Sequence, residues 1–479
     1  MKLSQLIKNL PTVSVIGKTD IEIKDVTADS NSITRDSLFI CIDGNNFDGH
    51  NFIKQAELYG ATAVVCEKQV DTILTQIIVE NSRTAMSEIA SAFYYNVDKK
   101  LKIIGVVGTN GKTTTSHIIY NILNSSGINC GLIGTLGAFY NDKFVEANLT
   151  TPDPLELHKL FFEMYSNDVK TVVMEVSAHA IYLDKIFNVN FEIGVFTNFS
   201  QDHLDFFGDM KTYMDAKLKF FSGNKCRYVV TNSDDELGRI VSKSKGEIVT
   251  YGINNPADTF AIDVLSHGEY YSFVVNLFDC IYDVKLFLKG EFNIYNALAA
   301  ITTCCLIGVD VKTTLKGLEK INNVAGRLEC VYSKEYSVYV DYAHTPDGLK
   351  KVIETLKKEC DGNLICLFGC GGNRDSSKRS LMGEISGELS DFTIITSDNP
   401  RFEEPMSIIR AIESGVIKKS RKYVMIQDRT EAIKYAVSLA KKGDIILVAG
   451  KGAENYQDVL GIKTPYSDKI TIEEVIRGN

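Results

Sequence analysis

The feature that most constrains this chain is one stretch, residues 101–126, where the apolar run LKIIGVV leads into GTNGKTTT and then SHIIYNILNSS. An apolar strand, a glycine loop and a helix in that order are the context a phosphate-binding loop requires. Ile118, Ile119, Ile122 and Leu123 form the stripe of a helix facing a sheet. Gly108 and Gly111 allow backbone dihedrals that turn amide N–H groups toward phosphate oxygens, and the helix N-terminus adds partial positive charge. Lys112 can reach the β and γ phosphates as a point charge, and the Thr113 hydroxyl can bind magnesium. The generic GxxxxGK[ST] pattern wants its first glycine where Val106 stands, so the match is to a shorter GxxGK[ST] variant. Gly108, Thr109, Asn110, Gly111, Lys112, Thr113 and Thr114 are the candidate nucleotide-binding residues. The plainer alternative is a glycine turn with an incidental lysine.

A length of 479 residues suits about three domains. Residues 1–96 alternate the short apolar strands SLFICI, ATAVVCE and TQIIVE with one helical segment, HNFIKQAELYG. In residues 97–324, TVVMEVS, IGVFTNFS, RYVVTNS and GEIVTYG are strands alternating with helices, which implies parallel βαβ units. In residues 325–479, YSVYVDYA, LICLFGC, DFTIITSD and DIILVAG mark a second, Rossmann-like α/β unit. Polar motifs follow Val107, Met174, Val195, Val340, Phe368, Thr396 and Ala449, at the carboxyl ends of strands, where ligands of such sheets bind.

The net charge of -9, from 52 basic and 61 acidic residues, argues against a duplex nucleic-acid binder. Lys8 and Pro11 interrupt any signal-peptide core, and no stretch approaches the roughly 18 apolar residues of a membrane span. Eleven cysteines form no CxxC pair, and Cys366 and Cys370 have no neighbouring zinc ligands. These features point to a reducing, cytoplasmic setting.

GTNGKTT, TTPDP at 150–154, MEVSAHA at 174–180, TNFSQDHLDFFGDMKTYMDAK at 197–217 and GEFNIYNALAA at 290–300 together resemble the Mur ligases of peptidoglycan synthesis. GRLE at 326–329, DYAHTPD at 341–347, GCGGNRDSSKR at 369–379, SDNPRFEEP at 397–405 and GKGAENYQ at 450–457 extend the resemblance across nearly the whole chain. It implies an N-terminal uridine-nucleotide domain, a central ATPase domain and a C-terminal amino-acid domain. It also implies the reaction: ATP phosphorylates the D-glutamate side-chain carboxylate of UDP-MurNAc-L-Ala-D-Glu, and the incoming amine displaces phosphate from the acyl phosphate. A monomer is the expected state.

Phosphoryl transfer needs cations fixed around the developing charge. Glu175 and His203, placed by the sequence at two adjacent strand ends, join Thr113 as candidate magnesium-site residues. Tyr213, Lys217 and Phe221 share one helix face at i, i+4, i+8. A bare lysine repels magnesium, whereas a carbamate on Lys217 presents oxygen ligands, and the resemblance suggests that modification for the lysine of Ala216-Lys217. The competing reading of Lys217 is a solvated helix lysine. Lys112, Lys217 and His203 are the expected catalytic residues. Asn293 and Asn296, on the exposed side of a capped helix start, offer amides to adenine. Arg327, Asp341 and His344 complete the nucleotide site from the last domain, the aspartate suiting a ribose hydroxyl.

Thr150, Thr151, Ser177 and Lys185 suit the muramoyl-peptide end of the substrate. Asp29-Ser30-Asn31 and the segment Asn46 to His50 match the family's uridine-side loops, with Ser30 assigned. Arg374, Asp398, Asn399, Pro400, Arg401, Gly450 and Glu454 match its amino-acid pocket. In the family, DNPR goes with meso-diaminopimelate: a guanidinium at Arg401 grips the distal carboxylate, and Glu454 pairs with the distal ammonium. Family members often carry arginine at Asn31, glutamine at Leu183, arginine at Lys185 and histidine at Ala453, so a lysine-adding or other paralogous ligase is the nearest alternative. A nucleotide-binding module without ligation is the alternative from another class.

Overall fold

The computed structural model describes residues 1–44 and 47–478. Its centre is the strand Lys102–Val107, flanked in parallel by Thr171–Glu175 on one side and Phe191–Phe196 on the other. These three strands end at one edge, which puts the phosphate loop between the segments that follow its two neighbours. Glu175 and the His203 loop therefore sit on either side of the loop strand, rather than at strands adjacent to each other.

The central sheet has eleven strands. The parallel run expected from sequence covers its middle, but antiparallel strands extend both edges: Tyr271–Leu277 and Cys280–Leu286 at one, Gly137–Tyr140 and Lys143–Val145 at the other. In Tyr271–Leu277, Phe273, Val275 and Leu277 are buried and alternate with half-buried residues, because only one face packs on the core. The helix Lys112–Ser125 buries Ile118, Ile119, Ile122 and Leu123 against that core. Behind it lies Phe292–Ile307, apolar almost all round, whose Thr302 and Thr303 hydroxyls satisfy themselves on carbonyls four residues back. That burial corrects the exposed side expected for Asn293 and Asn296. Glu291, at the N-cap, makes no side-chain capping bond either.

The N-terminal sheet has five strands, the expected three plus Asp25–Thr27 and an antiparallel edge, Ser14–Ile16. The single helical segment expected there becomes the short helix Ile53–Leu58, and a longer one, Ser82–Phe93, was not foreseen. Its buried face is built from Ser82, Ala85, Ser87 and Ala90 beside Met86 and Ile89, too few large apolar residues for a clear stripe, but Asn81 caps it through the N–H groups of Arg83 and Thr84.

The C-terminal sheet has six strands, with the parallel order Ser337–Asp341, Ile445–Ala449, Leu364–Phe368, Phe392–Ile395 and Tyr423–Met425 and an antiparallel edge, Glu329–Ser333. Beneath its carboxyl edge, Arg429 is fully buried against Asp468, with Nε–Oδ1 at 2.7 Å and Nη2–Oδ2 at 2.8 Å. Its guanidinium also donates to the carbonyls of Ser397 and Ala449, the last residues before the DNPR and GKG loops. No helix among the described residues is long and apolar enough to cross a membrane.

Leaving Asp468 buried without its partner is costly, so Arg429→Met is expected to destabilise the protein by about 3–5 kcal/mol in urea unfolding. Pairing it with Asp468→Leu should recover most of that loss. Equal losses in the single and double variants would show that Arg429 acts through packing alone.

Candidate active site

The carboxyl edge of the central sheet opens into a cavity of about 210 Å³, closed on its far wall by the last domain. All seven expected phosphate-loop residues line it, as do Thr150, Glu175, Ser177, His203, Lys217, Asn293, Asn296, Arg327, Asp341 and His344. The two loop glycines serve different ends. Gly111 has φ +82°, and a Cβ there would come 2.4 Å from Asn296 Oδ1. Gly108 has no positive φ; it is there for space, since a Cβ would lie 1.8 Å from Thr197 Oγ1.

Lys112 Nζ bonds the carbonyls of Gly108 and Thr109, both at 2.9 Å, so the lysine folds over the loop it belongs to. Thr113 Oγ1 donates to Glu175 Oε2 at 3.0 Å and accepts from Arg327 Nη2 at 2.8 Å. Glu175, almost fully buried, also accepts from the Thr135 amide and hydroxyl. Arg327 itself lies over the Tyr342 ring. Burial pushes the Lys112 ammonium toward its neutral form, with Glu175 and Asp202 opposing and Arg327 assisting.

Lys217 decides between the two readings given by sequence, because it is only 1% exposed. Its Nζ lies 4.5 Å from the centre of the Tyr213 ring. Burial, and then the nearby Lys112 charge, hold its pKa well below the usual lysine range. A solvated lysine is excluded. Burial, opposed by the Asp202 carboxylate, also pulls His203 down to about 3. His203 adopts a left-handed φ of 56° and sets its ring edge-on to His179.

Asn293 and Asn296 form a buried pair, with Asn296 Nδ2 donating to Asn293 Oδ1 at 2.8 Å and Thr115 donating to Asn296 Oδ1. Asp341 uses both oxygens on backbone, accepting Leu328 N–H and Ala343 N–H. It ties the entry of the last domain together as well as facing the cavity, and burial raises its pKa against the pull of Arg327. Asp202, which the sequence reading quoted only within DHLD, is the polar hub between domains. Its carboxylate lies 3.3 Å from His203, 3.7 Å from His344 and 3.7 Å from Lys378. Burial alone would raise Asp202, but His344, His203 and Lys378 outweigh it and hold it well below the ordinary carboxylate range. Asn110 reaches across the same boundary to Asp347.

Other expected residues lie off this cavity. Thr151 is buried, binding Glu175 O and Ser177 N–H, and it splices its loop to the sheet. Lys185 pairs with Asp153 at 2.7 Å. Ser30 lies in a short turn of the first domain, its carbonyl taking the Gln55 amide. Asp48 and His50 bond each other in a similar turn, and Asn46 lies outside the described residues.

The amino-acid candidates gather at the carboxyl edge of the last sheet. Asn399 Nδ2 donates to Glu454 Oε2 at 2.8 Å. Gly450 has φ +112° beside the Asp398 carboxylate, and Pro400 is buried with them. Arg401, with a left-handed φ of 51°, donates to Gly372 O at 2.7 Å, and Arg374 extends toward Asp205 at 4.0 Å. The sequence reading passed over Lys451, fully buried between Asn399 and Glu454. A lysine between two glycines looks like a surface residue.

Magnesium fits the donors present: Thr113 and Glu175 offer hard oxygens 3.0 Å apart. Among the described residues no three His, Cys, Asp or Glu side chains form a metal cluster, so phosphates, water and any Lys217 carbamate would complete the shell. Fold and site are those of a phosphate-loop ligase, with a nucleotide cavity shared between a parallel-sheet domain and a Rossmann-like one. Three family models match in order: Mur ligase family, catalytic domain, at residues 22–94; Mur ligase middle domain at 106–304; and Mur ligase, glutamate ligase domain, at 326–452. The UDP-N-acetylmuramoyl-L-alanyl-D-glutamate–2,6-diaminopimelate ligase 1 of Clostridium acetobutylicum is 42% identical, over 100% of this chain and 99% of that one. The corresponding ligase of Aquifex aeolicus is 40% identical, over 95% and 94%. A solved diaminopimelate ligase superposes with a TM-score of 0.71 at 28% identity, covering 100% of this chain and 99% of that one. The fold also matches a MurF ligase from Thermotoga maritima solved with ADP, at TM-score 0.65 and 21% identity, over 95% and 97%. The chain belongs to the Mur ligase family. It is an ATP- and magnesium-dependent ligase of peptidoglycan-precursor synthesis.

Gly111→Ala is expected to abolish nucleotide binding in titrations with an ATP analogue, because strain and the Asn296 clash act together. Gly127→Ala, at φ +86° with nothing within 4 Å of a Cβ, should cost only about 1 kcal/mol of stability and leave binding intact. Retained binding in Gly111→Ala would place the nucleotide elsewhere.

Proposed function

We propose that this chain adds meso-diaminopimelate to UDP-MurNAc-L-Ala-D-Glu, as a cytoplasmic monomer whose domains divide at about residues 96/97 and 324/325. What supports the reading is the convergence of the phosphate loop, Glu175 and Lys217 on one cavity, with Arg327 and His344 facing them from the domain that carries Asn399, Arg401 and Glu454. The phosphate-loop amides and Lys112 bind the β and γ phosphates of ATP, and Asn293 and Asn296 present amides to the base. Asp341 and His344 take the ribose side, and Arg327 neutralises charge as the γ-phosphoryl group moves to the D-glutamate carboxylate. A carboxylate lacks a leaving group; the acyl phosphate supplies one. The neutral diaminopimelate amine then attacks the acyl carbon, the C–N bond forms, the C–O bond breaks with its electron pair leaving on phosphate, and the amine nitrogen gives up a proton. Thr113, Glu175, a carbamate on Lys217 and His203 beside them would hold magnesium, which would supply charge neutralisation for the phosphates.

The depressed pKa of Lys217 supports the carbamate, because carbon dioxide reacts with the neutral amine, a form buried Lys217 adopts at lower pH than a free lysine. Thr150 and Ser177 line the cavity where the acceptor carboxylate must arrive, and Thr151 shapes their loop. Ser30 in the first domain would hold the uridine end, and Lys185 the peptide. Arg401 and Arg374 suit the distal carboxylate of diaminopimelate, and Asp398, Asn399, Pro400, Gly450 and Glu454 shape the rest of its pocket.

Mixing the protein with ATP, diaminopimelate and UDP-MurNAc-dipeptide should yield the tripeptide by mass; no product with any amino acid would favour a binding module. Lys217→Ala should abolish ligation and regain part of it with added short carboxylic acids. Absence of rescue, with magnesium dependence unchanged, would count against the carbamate. Arg401→Ala should weaken diaminopimelate use by about 2–3 kcal/mol, read as kcat/KM. An unaltered amino-acid preference would remove Arg401 from the pocket.

A further inference from the structure

The amino-acid pocket is built around a cation that none of the functional assignments above uses. Lys451 has no exposed surface. Its Nζ donates to Asn399 Oδ1 and to Glu454 Oε2, each at 3.0 Å, and lies 3.9 Å from Asp398 Oδ1. The rings of Tyr456 and Tyr466 stand 5.6 and 6.0 Å from it. Burying an ammonium is costly unless it is paired and bonded, and here two of its three N–H groups are bonded and two carboxylates lie within 3.9 Å.

The arrangement fixes two neighbours. Asn399 Oδ1 takes a second bond from the Asp458 amide, so a flipped side chain would set its NH2 against two donors. Asn399 Nδ2 is thereby aimed at Glu454 Oε2. Both bonds to the Glu454 carboxylate fall on Oε2, and Oε1 accepts none among the described residues. Lys451, Asp398 and Glu454 together carry one positive and two negative charges, which leaves one net negative charge at the pocket floor.

We propose that Lys451 is a positioning and specificity-determining residue of this pocket. It orients Asn399 and Glu454, and it trims the floor to the single negative charge that one distal ammonium neutralises. The proposal rests on the diaminopimelate reading and adds to it how amino acids are sorted. With Lys451 neutral the floor carries two negative charges. A substrate with a distal carboxylate beside its ammonium then loses more than lysine, which has the ammonium alone.

The test uses the full-length protein with ATP, UDP-MurNAc-dipeptide and either meso-diaminopimelate or L-lysine, following product by mass and phosphate release. Wild type comes first: no tripeptide with either amine sinks the diaminopimelate reading itself. With wild type active, Lys451→Gln, which keeps a donor but drops the charge, should raise KM for diaminopimelate about 10- to 100-fold and leave KM for ATP within about twofold. The ratio of kcat/KM for diaminopimelate over lysine should fall about tenfold or more. Lys451→Arg, which keeps the cation, should hold that ratio within about threefold of wild type while raising KM. An unchanged ratio in Lys451→Gln, or a rise in KM for ATP equal to that for diaminopimelate, overturns the proposal. So does a ratio in Lys451→Arg that falls about tenfold, which also decides the matter if the glutamine variant does not fold.

Discussion

Two lysines, Lys112 and Lys217, share the wall of one cavity, and the rest of the site is arranged around the cost of placing them there. Burial alone disfavours each charge, and the Lys112 charge further disfavours that of Lys217. Lys112 has compensation at hand, in two loop carbonyls and in the field of Glu175 and Asp202. Lys217 has chiefly an aromatic ring and distant carboxylates. The two side chains are chemically alike but held differently: Lys112 faces carbonyls and a carboxylate that offset part of the cost of its charge, and Lys217 faces little that does. The sheet serves this difference, since the strand that delivers the loop lies between the strands that deliver Glu175 and the segment leading to Lys217.

The same economy recurs in the last domain. Arg429 is matched by a bidentate carboxylate and two carbonyls, and Lys451 by an amide oxygen and a carboxylate. Arg429 lies under the loops that carry the amino-acid candidates, and Lys451 sits within one of them and bonds the other through Asn399. Loops tied by charge-assisted bonds keep their geometry when substrate is absent, which lowers the ordering cost of binding.

How much of this could be read beforehand depended on how local each cause was. The phosphate loop, its helix stripe and the strand-end placement of motifs are local patterns, and the structure has them within a residue or so. The antiparallel edges of the central sheet escaped notice because strands such as Thr259–Ser266 follow a parallel partner before the chain turns back on itself. Asn293 and Asn296 looked exposed because polar residues on a helix usually are; here they satisfy each other and Thr115. Glycine at 108 was credited with backbone freedom when its need is space, a fact carried by Thr197, distant in sequence. The burial of Lys217 and Lys451 depends on packing by remote segments, which spacing alone does not convey.

Asp202 has a consequence for the tempo of the cycle. It lies 3.7 Å from both His344 and Lys378 of the last domain, while Asn110 donates to Asp347 nearby, so polar contacts bridge the two domains beside the cavity. Any parting of the two domains to release product would break these contacts, and firmer pairing would ready the site sooner but detain what it makes.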